Sequence, residues 1–238
     1  LGTNGHDVVM KAVCPRCGDQ AHAPTVWSSA WRCGLHGEID PLRPASRPSP
    51  EALAGLVKSA RVPVWVPWPL PHGWLVTGFS GAGDERTGAR GTAVALSGPN
   101  PVGGPADLIV IAEEPGVGLG AGLAGLSGPD PGAEFARGPS HASVRVSGHD
   151  APLWLVGRDD GVPAPGDGRR GSPRDASAPG DSCAVFAGEV AGGWVWLVLW
   201  PDSAGLILVE SLALLDLRDT AGPLGLPFGA QTTRLPAA

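Results

Sequence analysis

A chain of 238 residues, 42% hydrophobic and 17% charged, can bury a sizeable core as one medium domain or as a small module beside a larger one. Its net charge of −6 and pI near 5.4, with Lys11 and Lys58 as the only lysines, argue against a nucleic-acid binder that works by neutralising phosphates. The longest apolar runs, 190–200 and 204–209, fall short of the roughly 20 residues a spanning helix needs, so no membrane segment is expected.

In chain order, residues 1–9 read as an upstream extension, because Met10-Lys11 stands just before the first cysteine and 1–13 hold no continuous apolar stretch of a signal peptide. Residues 10–40 carry the strongest motif. Cys14-Pro15-Arg16-Cys17 is followed, after fifteen residues, by Cys33-Gly34-Leu35-His36. Each short loop lets two side chains converge on one ion, and Gly18 and Gly37 let the backbone turn behind them. Cys14, Cys17, Cys33 and His36 thus predict a zinc ribbon holding one Zn²⁺ in a closed, structural tetrahedron. Such loops are folded by their metal. His22 is a weaker alternative for the fourth ligand, being inside the loop. Three of the four cysteines lie within twenty residues, a clustering that suits metal binding in a reducing compartment better than a disulfide framework. A cytoplasmic location is expected. Arg16, Arg32, Arg43, Arg47 and Lys11 make thin basic cover for a ribbon, so a structural role or a protein partner is favoured over DNA.

Residues 41–50 (PLRPASRPSP) hold four prolines and predict an extended, semi-rigid linker. Residues 51–238 then form the larger domain. Ser49-Pro50-Glu51 opens a short helix over 51–61, with Ala52, Leu53, Leu56, Val57 and Ala60 on one face. Strands are expected at 62–66, 73–80, 92–97, 108–113, 143–146, 152–157, 184–190, 193–200 and 204–210. The last run forms a hairpin with 194–200 across Pro201-Asp202-Ser203, and 211–218 is a short helix or strand. Within 62–74 the tryptophans read as core groups on a proline-broken edge strand, and His72 as a solvent-facing turn residue. Residues 159–181 have almost no apolar anchors, and a disordered loop is expected there. Cys183 reads as a small buried hydrophobe.

The stretch 108–125 (LIVIAEEPGVGLGAGLAG) looks like a strand entering a glycine-rich loop, with Gly116, Gly118 and Gly120 as candidate phosphate or cofactor contacts. A dinucleotide fingerprint needs a full helix after the turn, and here only 121–126 is available before Ser127-Gly128-Pro129-Asp130-Pro131. Glu113 and Glu114 are adjacent in a strand, so they point to opposite faces and cannot share a proton. Neither a nucleophile elbow, a Walker loop nor an HExxH helix occurs.

The stretches 14–18, 64–73 (VWVPWPLPHG), 113–125, 127–131, 184–189 and 216–219 together resemble an uncharacterised actinobacterial family whose members are sometimes labelled phosphotransacetylase. The resemblance spans nearly the whole chain and implies the same architecture. The label implies acyl or phosphoryl transfer, although no stretch matches the phosphotransacetylase motif for acetyl phosphate and coenzyme A. The expected fold is therefore α+β: a zinc ribbon with a mainly antiparallel, β-rich domain and few short helices. The expected function is that of a non-enzymatic binding or adaptor protein. The alternative is a transferase that uses loop 115–125.

Overall fold

The computed structural model describes residues 12–45, 47–132, 134–156, 182–210, 212–220 and 225–236. The proposed extension 1–9 and the whole of the 159–181 loop lie outside them. After a two-stranded ribbon, β1 (Arg32–Cys33) and β2 (Gly37–Glu38), comes helix α1 (Pro50–Ser59). Nine further strands follow: β3 (Trp65–Pro67), β4 (Leu75–Asp84), β5 (Gly88–Pro99), β6 (Pro105–Glu113), β7 (Ala142–Val146), β8 (His149–Leu155), β9 (Ala184–Val190), β10 (Gly193–Trp200) and β11 (Leu212–Asp216). A second helix, α2 (Leu119–Ala124), sits between β6 and β7. The nine strands form one sheet in the order β3-β11-β7-β8-β9-β10-β6-β5-β4, antiparallel except where β11 runs parallel to β7. It curls, so that β3 approaches β5 and β6, and the Thr92 hydroxyl donates to the Pro63 carbonyl at 2.6 Å.

The curl gives the sheet two buried faces. Along β6, Leu108 and Val110 point inward to one core, while Ile109 and Ile111 point to the other. Opposite them on β10, Leu197 faces Val110 and Trp196 faces Ile111. Burial on both sides is why these strands read as unbroken apolar runs, without alternation. Helix α1 closes the first face with the residues its periodicity predicts: Ala52, Leu53, Leu56 and Val57, followed by Ala60 just beyond its end. Its start is capped by Ser49, whose Oγ accepts the Ala52 N–H at 3.1 Å, with Pro50 in the first turn.

The expected hairpin between 194–200 and 204–210 does not form. Both edges of β10 are already paired, with β9 and with β6. The β9–β10 turn is Ala191-Gly192, both in the left-handed region (φ 53° and 77°), the tight geometry that matches strand twist. Residues Asp202–Glu210 instead form a 3₁₀ helix that buries Ala204 and Leu208 and exposes Leu206 and Val209. The 211–218 segment resolves into β11 and a 3₁₀ turn, Leu217–Asp219. Trp65 and Trp74 are core residues as expected, whereas Trp68 is partly exposed; His72 is exposed in its turn.

The 41–45 segment is extended, as its prolines dictate, yet it does not act as a spacer. The Arg43 N–H donates to Gly81 O and the Gly83 N–H to Pro41 O, which lays the segment along the edge of β4. Further along, the Thr232 N–H donates to Thr77 O and the Gly229 N–H to Val76 O. An edge strand of ten residues is thereby covered at both ends.

Asp216, at the end of β11, is buried and accepts the Val64 N–H at 3.0 Å and two guanidinium N–H groups of Arg218. Arg218 also donates to the Arg61 carbonyl at 2.7 Å, so one ion pair joins the end of β11, the approach to β3 and the residues after α1. Burial alone would raise the Asp216 carboxyl, but the Arg218 hydrogen bonds outweigh it and hold the pKa below the ordinary 3.8. A depressed acid contributes stability above its unfolded pKa and loses it as pH falls through the folded value. Asp216→Ala is expected to cost about 2–3 kcal/mol in urea unfolding at pH 7, a difference that shrinks on acidification below the ordinary carboxyl range. An unchanged midpoint would show that the clip is dispensable.

Candidate metal centre

The first knuckle is a tight turn in which the Gly18 N–H donates to Cys14 O at 2.9 Å and the Cys14 N–H to Asp19 O at 2.7 Å. Gly18 sits at φ 77°, where a Cβ would be strained. The second knuckle is the turn of the β1–β2 hairpin, in register Cys33 with Gly37. The two turns meet. Cys14 Sγ lies 3.4 Å from His36 Nδ1, Cys17 Sγ 3.6 Å from Cys33 Sγ, and Cys33 Sγ 3.7 Å from His36 Nδ1. All four donor atoms fall within 4.8 Å of one another. An ion with metal–sulfur bonds of about 2.3 Å and metal–nitrogen bonds of about 2.0–2.1 Å, arranged tetrahedrally, spaces its donors roughly 3.5–3.8 Å apart. Three of the six edges, at 3.4, 3.6 and 3.7 Å, lie close to that figure, so these four side chains could hold a metal ion through three sulfurs and Nδ1. His22 is exposed, paired through its backbone to Arg32, and outside the cluster.

The thiols are tuned by crowding. Burial pushes Cys14 upward and Cys17 to about 12. Cys33 moves down: burial opposes its ionisation, but the backbone amides of Leu35 and His36 and the neighbouring thiols outweigh that. Burial and then the Arg16 charge lower His36, which favours the neutral imidazole a metal requires. Cys33 is thus the most readily ionised of the three thiols, and a divalent ion would supply the charge that stabilises all three as thiolates.

The module docks on the sheet at several points, one of them the Arg86 guanidinium, which donates to the Ser29 carbonyl at 2.9 Å. At its far end Arg90 donates to Asp40 at 2.9 Å and to Glu114 at 2.8 Å. At the first knuckle it lies on α2. A Cβ on Gly122 would come within 2.3 Å of the Pro15 carbonyl oxygen and 2.9 Å of Arg16 Cα, and one on Gly118 within 2.6 Å of Arg16 Cγ. Arg16 reaches on to donate to Ser127 O at 3.1 Å. On the opposite side of α2, a Cβ on Gly120 would meet the Trp196 indole at 2.4 Å. The glycine-rich run thus has a packing function: it makes a helix thin enough to fit between Trp196 and the metal loop.

Of the candidate phosphate contacts, Gly118 and Gly120 face protein. Gly116 (φ 89°) donates its N–H to Asp130 Oδ1 at 2.9 Å. The place a phosphate would take at the start of α2 is filled by the Glu113 carboxylate, which accepts from Leu119 at 2.6 Å and Gly120 at 3.1 Å. Glu113 is 1% exposed. Its role was missed in the sequence, where the one signal was an acid continuing an apolar strand. Burial pushes it from 4.5 up to about 7, against the pull of those amides and the nearby Trp196 indole. Glu114, on the other face, pairs with Arg90, as strand alternation requires. Cys183 packs at the margin of the second core, half-buried.

The chain belongs to a family of unknown function (DUF6758), whose model matches residues 9–164 and 175–235. No curated protein and no solved structure matches it.

Two outcomes follow from this packing. Gly122→Ala drives a methyl into the Pro15 carbonyl; it is expected to cost about 1–3 kcal/mol and to lower the chelator concentration that strips bound metal. Equal chelator resistance would mean that the knuckle does not rest on α2. Separately, the folded state holds the Glu113 proton more tightly than the unfolded chain, so stability should decline as pH rises from 4.5 to about 7. Calorimetry on Glu113→Gln, which cannot ionise, should show that slope flattened; an undiminished slope would assign it to other groups.

Proposed function

We propose that this member of the family is a non-enzymatic binding or adaptor protein in which Cys14, Cys17, Cys33 and His36 hold one structural Zn²⁺. Three thiolates and an imidazole at tetrahedral spacing are the donor set zinc prefers, softer than magnesium or calcium sites and without the open position of a catalytic centre. The observation that supports the reading is the convergence of four donors from the chain itself: with all four bound, a tetrahedral ion would order the loop and leave no position for substrate.

The ordered loop displays an apolar tip. Val26 and Trp27 are 92% and 93% exposed at the Thr25–Ser28 turn, and Leu35 in the second knuckle is 73% exposed. A tryptophan held in water gains roughly 25 cal/mol per Å² when a partner covers it, and Trp is over-represented among residues that dominate protein interfaces. We assign this tip to a protein partner. Against the transfer reading stands the Glu113 carboxylate on the amides that a phosphate would use. Among the described residues no helix is long and apolar enough to cross a membrane.

Metal analysis of native protein should find about one zinc per chain, lost in Cys17→Ser. Trp27→Ser with Leu35→Ser should keep the zinc and the melting temperature but lose the protein captured by the wild type from native lysate. Capture that survives both changes would move recognition off the ribbon. Zinc-free native protein would sink the metal assignment.

A further inference from the structure

On the outer surface, beyond α2, an open cleft of about 540 Å³ is lined by Pro129, Asp130, Phe135 and Trp194. The metal site does not account for it. Phe135 and Trp194 stand at 89° with ring centroids 5.3 Å apart, so they make a corner with an aromatic wall on each side. Trp154 braces Phe135, again near-perpendicular, at 5.6 Å. Asp130 stands at the edge of the corner. Its Oδ1 accepts the Trp194 indole N–H at 2.7 Å and the Gly116 N–H at 2.9 Å.

Those two neutral donors fix the carboxylate in place without cancelling its charge. Among the described residues no Lys or Arg forms an ion pair with Asp130, and Arg137 is engaged by Glu134. The charge also reaches into the fold, where it adds to burial in raising Glu113. An anion would be repelled here. A strongly hydrated metal ion would need several oxygen ligands, and the cleft offers one carboxylate. A weakly hydrated organic cation is suited to all of it: aromatic faces attract it, the proline wall packs against its methyl groups, and the carboxylate complements its charge. From the corner of Phe135 and Trp194 with Asp130 at its edge, we propose that this cleft binds an alkylated ammonium group, as carried by a free quaternary amine or a methylated lysine.

The test is a calorimetric titration of the full chain with choline, with its uncharged isostere 3,3-dimethylbutan-1-ol, and with a peptide bearing trimethyl-lysine or plain lysine. Choline or the trimethylated peptide should bind saturably, and the uncharged isostere at least about tenfold more weakly than choline. Preference for the trimethylated peptide would identify a protein side chain as the source; choline binding with the peptide excluded would identify a free amine. Asp130→Asn keeps an oxygen for the two N–H donors, and Phe135→Leu keeps apolar bulk without the aromatic face. Each should weaken binding at least about fivefold at an unchanged melting temperature. If Asp130→Asn fails to fold, Phe135→Leu alone decides. Equal binding of the isostere, no saturable binding of any ammonium probe, or wild-type affinity in the folded variants would overturn the proposal.

Discussion

Everything outside the sheet answers to one constraint: β6 and β10 are apolar on both faces, and each face has to be covered. The curl and α1 cover the first. For the second the chain provides little, a six-residue helix and the Cys/His module with its trailing strap. A helix that short cannot hold itself together in water. It is held from outside, by Glu113 at its first amides, by the left-handed Gly125 at its end, and by Trp196 and the metal knuckle pressed on either side. Its glycines are what that sandwich requires, because a methyl at Gly120 or Gly122 would overlap the indole or the Pro15 carbonyl.

Two buried carboxylates show how differently such a fold can satisfy a charge. Asp216 faces Arg218, and its pKa falls. Glu113 meets only dipoles, two amides and an indole, with the Asp130 charge working against it, and its pKa rises. Burial comes first among the influences on both, so the sign is set by whether a full positive charge is present to oppose it. Around α2, therefore, Glu113 holds its proton up to about 7, while Asp130 is met by neutral N–H donors and by no ion-paired Lys or Arg among the described residues. The neighbouring carboxylates Glu114 and Asp216, by contrast, are matched by the guanidinium groups of Arg61, Arg90 and Arg218.

Much of this was legible in the sequence because it follows from local rules. The Cys-x-x-Cys and Cys-x-x-His spacings fix which four side chains can converge, Ser49-Pro50 fixes a helix start, and the 184–190 and 193–200 runs match β9 and β10 residue for residue. What was not legible depends on partners distant in the chain. Residues 204–210 have strand-like composition, and only the prior pairing of both edges of β10 denies them a place in the sheet. The same holds for the glycine-rich run. Its spacing resembles a nucleotide loop until Trp196 and Pro15 are brought to either side of it, from opposite ends of the chain. Strand alternation did separate Glu113 from Glu114, but it could not say that one of them caps a helix.

The Cys/His module has too few apolar residues to fold by burial. Its buried side chains are Ala12, Cys14, Pro15, Ala21 and Cys33, Val13, Trp31 and Ile39 are only half-buried, and Val26, Trp27 and Leu35 point outward. A unit this small generally needs a metal or a partner surface to order it. Here the chain offers both, a donor set that could hold a metal ion and the sheet as a surface to rest on. The knuckle of Cys14 and Cys17 is pressed on α2, whereas the turn at Thr25–Ser28 and the knuckle of Leu35 face solvent. Just beyond that turn the Arg86 guanidinium donates to the Ser29 carbonyl at 2.9 Å, which ties the tip to the sheet directly, and an ion bound by the four donor side chains would add a second tie between the two halves. A tip held still in this way would bind at lower entropic cost than a flexible loop, so on the proposed reading an ion would favour recognition without touching the partner.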